Sequence, residues 1–221
     1  MSDFINIFSN SDPTAVSTSV KLLLLLSILS LAPGILILMT SFTRIVIVLS
    51  FVRTSLATQQ MPPNQVLIGL ALFLTFFIMA PTFTEVYDEA LQPLFEEEIT
   101  LDEAYESASI PIKEFMSKHT RQKDLALFLN YTNADNIETV QDIPLTTLIP
   151  AFAISELKTA FQMGFMIFIP FLIIDMAVAS ILMSMGMMML PPVMISLPFK
   201  ILLFVLVDGW YLITYSLLQG F

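Results

Sequence analysis

Twenty-seven consecutive residues, Thr159 to Met185, carry a single charge, Asp175. As a helix rising about 1.5 Å per residue, this stretch reaches about 40 Å, more than the roughly 30 Å of a bilayer's hydrocarbon. Val66 to Phe83 and Ile201 to Leu218 are runs of the same kind, and Leu22 to Val52 holds two shorter ones. With 56% hydrophobic and 13% charged residues, the chain has too little polar surface to cover a water-facing shell. The sequence therefore predicts an all-α, polytopic helical membrane protein with kinked helices and hairpins. No cysteine is present, which excludes disulfides, thiol nucleophiles and cysteine metal sites.

Charge is segregated. Residues 84–150 hold fourteen acids and four bases, which accounts for the whole net charge of -10. Four segments follow: a leader of unassigned role at 1–20, membrane helices at 21–83, an acidic helical insert at 84–150, and a membrane hairpin at 151–221. Arg53 before the Val66–Phe83 run, and Glu85, Asp88 and Glu89 after it, place the insert outside the cytoplasm by the positive-inside rule. The acidity argues against nucleic acid, because phosphate binding needs clustered Lys and Arg. Within the insert, helices are expected from Thr100 and from Pro111. The single histidine, His119, sits among Lys118, Arg121 and Lys123, a setting that disfavours metal binding.

In the first block, Ser30-Leu31-Ala32 has the small residues of a signal-peptidase site. Asp3 and Asp12 precede it instead of a basic patch, and Pro33 would hinder cleavage, so Pro33-Gly34 reads as a kink or break in a retained helix. Arg44, inside a short apolar run, is expected to face protein or a polar crevice. Pro62-Pro63-Asn64 stops one helix and starts the next, and Pro81 is expected to end that span.

The second block holds the candidate functional residues. Asp175 and Asp208 are carboxylates in apolar runs, each costing about 2.5 to 3.5 kcal/mol at bilayer depth, so both are expected to be buried in protein or a watery cavity. They are read either as structural acids or as proton carriers. Glu156 and Lys158 open the long helix and Lys200 opens the last one; a Glu156–Lys200 ion pair between packed copies follows from charge economy. Gly186, Met187, Met188, Met189 and Pro191-Pro192 form a loop of soft apolar side chains, read as core filler or as a deformable seal.

Several long strings resemble the FliP family of flagellar type III export-gate subunits, whose injectisome counterpart is the SctR family. These are Thr40 to Val48, Pro62 to Phe77, Pro150 to Phe165, Ile169 to Pro192, and Leu197 to Trp210. Pro62 to Phe77 and Lys118 to Phe128 favour the flagellar branch. The resemblance implies a homo-pentamer that joins the FliQ and FliR subunits and other flagellar export proteins. It implies a place in the cell membrane at the flagellar basal body, and passage of unfolded flagellar proteins through an axial pore. It implies that Met187, Met188 and Met189 form a pore gasket and that Glu156 and Lys200 pair between subunits. Some family members sit partly raised out of the bilayer, which would suit the short, kinked spans. No cofactor is expected, and no enzymatic turnover, since no Ser-His-Asp or metal constellation occurs. A proton-coupled small-solute transporter using Asp175 and Asp208 is the alternative of a different class, although the two repeated halves such proteins often show are not visible.

Overall fold

The computed structural model describes residues 33–58, 60–132, 139–187 and 189–221, with positions 23, 26, 27 and 30; the leader 1–20 and Met188 lie outside the described residues. The chain divides into two units, 1–37 and 38–221. In the first, the described positions are helical, and the hydroxyls of Ser27 and Ser30 donate back to carbonyls of the preceding turn, both at 2.8 Å. The expected break at Pro33-Gly34 falls at the edge of the described residues, positions 31 and 32 lying outside them.

The second unit is helical throughout, with no strand among the described residues. Helix α1, Phe42–Ser55, buries Ile45, Val48, Leu49 and Val52 completely. That i, i+3, i+4, i+7 spacing makes one apolar stripe, and it packs on the long helix α5, Leu145–Ser184. Gly164 lets the two backbones close: a Cβ there would lie 2.5 Å from the Phe51 ring. Phe51 and Phe161 meet edge to face beside it, with centroids 5.4 Å apart.

Helix α2, Asn64–Val86, continues through a π-turn at Tyr87–Leu91 into Gln92–Phe95. The expected stop at Pro81 does not occur. A proline inside a helix forfeits one backbone donor, a loss that flanking turns and neighbouring helices absorb in a long apolar helix. Leu67, Ala71, Thr75 and Met79, four apart, face the protein, while Phe73 and Phe77 stand exposed on another side.

In the insert, α3 spans Leu101–His119 and α4 spans Gln122–Thr132. Thr100 and Glu103 close a capping box, so the expected start near Thr100 holds. Pro111 is not a start, however: it lies buried within α3, and the break falls after His119. The insert has its own core of Met116, Ile143, Leu148 and Phe152, with Ile112, Phe115 and Leu125 packed around it. Two of those four residues belong to the first turns of α5, so the long helix is rooted in the insert before it enters its apolar stretch.

At 40 residues α5 is about 60 Å long, twice a hydrocarbon thickness. It begins well before the expected Thr159, with Pro150 and Pro170 both inside it. After the methionine loop, α6, Pro192–Leu206, runs back along α5, and α7, Gly209–Gln219, follows at a 61° bend. The turn ends at Pro191, and Lys200 sits inside α6 instead of opening a helix. Asp208 causes the bend: it adopts a left-handed conformation, φ 51°, which interrupts what the sequence shows as one apolar run. Two described helices, Asn64–Phe95 and Leu145–Ser184, are long and apolar enough to cross a membrane, and up to four spans result if each of two bent pairs counts as one. Only 11% of the most apolar window of α5 is buried within the chain, so its remaining surface needs lipid or other chains as cover.

Phe152 is 1% exposed at the centre of the insert core. Phe152→Ala should cost about 3 to 5 kcal/mol. Limited proteolysis of the detergent-purified protein should then cut first within 101–132, with the apolar part of α5 still protected.

Candidate functional site: the hairpin tip and its buried ion pairs

The methionine loop is tight because its backbone allows nothing longer. Met185 N–H bonds the Ile181 carbonyl at 3.1 Å and Met187 N–H bonds the Leu182 carbonyl at 3.0 Å, while Gly186 takes φ 74°, a conformation glycine adopts without a Cβ clash. Pro191 and Pro192 then start α6 with no helical donor to waste. Met187 is half-buried against the helix end, whereas Met189 is 97% exposed and projects from the tip. A thioether held out in this way has no partner within its own chain.

Below the tip, a polar network locks α6 to α5. Lys200 Nζ donates to Asp175 Oδ2 at 2.6 Å, and Ser196 Oγ donates to Asp175 Oδ1 at 2.5 Å. Lys200 is 2% exposed and Asp175 22% exposed. A carboxylate whose two oxygens both accept hydrogen bonds, one from an ammonium, has its cost of leaving water offset by its partners. Asp175 is therefore held in protein as expected, although part of it remains open. Asp208 is not: it lies exposed on the chain at the α6–α7 bend, because the left-handed turn carries it away from the helix faces that pack.

The second ion pair lies at the insert end of the same helices. Arg44 Nε donates to Glu156 Oε2 at 2.8 Å, and Nη2 to Oε1, in a bidentate fork. The side chains are 4% and 0% exposed. Arg44 Nη1 also donates to the Gly220 carbonyl at 2.7 Å, and the guanidinium stacks 3.8 Å over the Phe221 ring. One arginine thus ties α1, α5 and the end of α7 together. The expectation that Glu156 and Lys200 pair across a subunit boundary has two grounds, charge economy and the family resemblance, and the present structure bears only on the first. Within one chain each has a partner, Arg44 for Glu156 and Asp175 for Lys200, so charge economy no longer motivates that pair. Arg44 is the residue that sequence reasoning missed in this role; its partner is 112 positions away, and only its placement in an apolar run marks it.

Phe221 extends the knot into the insert. Its ring stacks on Phe115 at 6.1 Å and meets His119 edge to face at 5.0 Å, and Lys118 Nζ donates to its oxygen at 3.1 Å. Burial, then the nearby charges of Arg44 and Lys118, lower the His119 pKa from 6.5 to about 4. Asp124 anchors α4 to α5: burial opposes its charge, but hydrogen bonds from Ser155 and Arg121 outweigh that and hold its pKa below the ordinary carboxylate range. Among the described residues, no group of three or more His, Asp or Glu side chains is placed to hold a metal.

Comparison with known proteins places this sequence in a family. The model of the FliP family matches residues 12–217, nearly the whole chain. The chain belongs to the FliP family. It is 80% identical to the flagellar biosynthetic protein FliP of Bacillus subtilis, over the full length of both chains. It is also 55% identical to a protein of that name from Pectobacterium carotovorum, over 92% of this chain and 79% of that one, and 53% identical to one from Aquifex aeolicus, over 92% and 86%. The strings around both ion pairs and the methionine loop all fall inside the matched region of this FliP-family chain.

Two outcomes follow. Arg44→Leu or Glu156→Leu alone leaves one buried charge unpaired and should cost about 3 to 5 kcal/mol, whereas the double Leu variant should cost less than the sum, measured as thermal midpoint or yield of folded protein in detergent. Because His119 is held neutral in the fold, its contribution is complete above about pH 6.5 and is lost as pH falls through about 4. Protease resistance of the insert should weaken over that window, and His119→Phe should flatten the dependence.

Proposed function

We propose that this chain is a core subunit of the flagellar type III protein export gate, a pore-forming protein with no catalytic turnover of its own. Its family membership supports a role in flagellar biosynthesis and in the flagellar export apparatus. The observation that carries the pore reading is the hairpin tip, where a tight turn holds Met189 fully outside its own chain. In the assembly proposed here, five copies turn their α5–α6 hairpins toward one axis and join FliQ and FliR and other export proteins in the cell membrane at the basal body. Unfolded flagellar proteins pass along that axis. Methionines 187 to 189 meet there, and flexible thioethers exclude water and ions while yielding to a passing chain. The ion pair between Asp175 and Lys200 fixes the hairpin, so the seal is soft only at its tip. The mostly uncovered apolar faces of α5 and α6 supply the surface that such an assembly buries.

A flagellar role is favoured over the injectisome role of the SctR branch because the similar proteins, at 48 to 80% identity, are flagellar by name. The transporter alternative is weaker, since Asp175 is already committed to Lys200 and Ser196 and Asp208 lies at a surface bend.

Replacing Met187, Met188 and Met189 together by alanine should leave the assembled complex intact and raise leakage of ions across the membrane, read as proton or potassium flux in vesicles. Deleting the chain should abolish hooks and filaments. A triple-alanine complex that assembles and stays tight would reduce the loop to packing material, and a deletion strain that still built filaments would end the export reading.

A further inference from the structure

The helices of the insert pack in a row. α4 lies on the first turns of α5, those turns lie on α3, and α3 lies on the extension of α2 at 87–95. α4 thus ends the row on one side and the α2 extension ends it on the other. Each end carries a stripe that its own chain leaves uncovered. Tyr87, Leu91 and Phe95 recur at every fourth position of the extension and are all exposed, Phe95 at 74%. Lys123, Leu127 and Tyr131 have the same spacing on α4 and are exposed as well, Tyr131 at 88%. Both stripes run the same way. α4 heads for the start of α5, since Asp124 accepts from Ser155 while Leu125 packs in the core with Phe152 and Leu148. α2 arrives from the far end of α1, where Arg53 holds Asn64, and its turn at Pro81 and Thr82 reaches Lys118 and His119.

The two ends also differ in charge. Residues 84–112 hold nine acids and no base, whereas all four bases of the insert fall between Lys113 and Lys123. Three of these are taken within the chain: Lys113 by the Gln141 carbonyl, Lys118 by the Phe221 oxygen and Arg121 by Asp124. Among the described residues, Lys123 makes no hydrogen bond or ion pair. α3, which separates the acidic end from the basic one, is about 27 Å long, more than three Debye lengths of about 8 Å. The two ends therefore do little to neutralise each other within one chain.

We propose that α4 of one copy docks on the α2 extension of a second copy, with Leu127 and Tyr131 against Tyr87 and Leu91, and with Lys123 toward Glu85 and Asp88. Copies standing side by side at one height bring these stripes level, and the contact matches apolar to apolar and base to acid. Aromatic side chains such as Tyr87 and Tyr131 are the kind that contact surfaces between proteins concentrate. Because the two stripes lie at opposite ends of the row, the contact is head to tail, and a repeated contact of that kind closes into a ring when its rotation closes. The inference rests on the homo-pentamer proposed above and supplies it with a contact between inserts.

The chain has no cysteine, so Leu91→Cys and Tyr131→Cys introduce unique thiols at the two ends. In the complex isolated from membranes in mild detergent, a short bis-maleimide should link copies carrying both changes into a ladder of covalent multimers. Copies carrying one change each, expressed together, should yield dimers only, and either variant alone should yield none. Lys123→Glu should lower the linking about fivefold, as for the loss of a surface ion pair, and adding Asp88→Lys should restore it. If either change lowers the yield of the complex, Tyr87→Cys with Leu127→Cys repeats the test one turn away. A pentamer by native mass spectrometry in which neither thiol pair links overturns the docking and leaves the pentamer standing. Links from either end to a different protein assign that end to another partner and overturn it as well. Protein that never associates beyond one chain overturns the docking and the pentamer together.

Discussion

The fork between Arg44 and Glu156 is the interaction on which the rest of the second unit depends. Two fully desolvated charges are tolerable only when each satisfies the other, and this guanidinium has donors to spare after doing so. Its remaining donor and its face go to Gly220 and Phe221. Helices far apart in sequence are thereby fixed at one level, and α5 is oriented relative to the insert that roots it. The apolar contacts of α1, including the close approach at Gly164, lie along the helix from that fixed point.

From there α5 runs as one helix to the hairpin tip. Its first turns belong to the core with Met116 and Ile143, and its far end leads into the methionine loop some 40 residues later. The second ion pair, Lys200 with Asp175, sits between the two and ties α6 back to α5 below the tip. Rigid anchorage at two levels leaves the loop as the one soft element of the hairpin. The gate proposed above, sealing against ions and yet passing a polypeptide, would use that division between fixed helices and adaptable side chains.

Much of this was legible in the sequence, and the failures have a common cause. Apolar run lengths indicated the helical membrane class, because they are a local property of composition. The capping box at Thr100 and the loop at Gly186 were readable for the same reason. Prolines misled: Pro81 suggested a stop and Pro111 a start, yet each lies inside a helix whose packing outweighs one missing donor. Asp208 misled in the opposite sense: Asp208-Gly209 is a turn dipeptide, but the apolar residues on both sides outweighed it in the reading. Pairing was the least legible. Glu156 and Lys200 were recognisable as charges needing partners, but the partners they have within one chain, Arg44 and Asp175, are chosen by the fold.

The central claim is that the tip of this hairpin lies on the path of the exported chain. Because the protein has no cysteine, Met189→Cys introduces a unique thiol at that tip. An export substrate stalled in transit by a fused folded domain, and carrying one cysteine in its unfolded segment, should form a disulfide with residue 189 under mild oxidation. The same thiol placed at Phe73, on the outer face of α2, should not react. A substrate shown to be stalled within the complex that never cross-links to residue 189, or that cross-links equally to residue 73, would contradict the account.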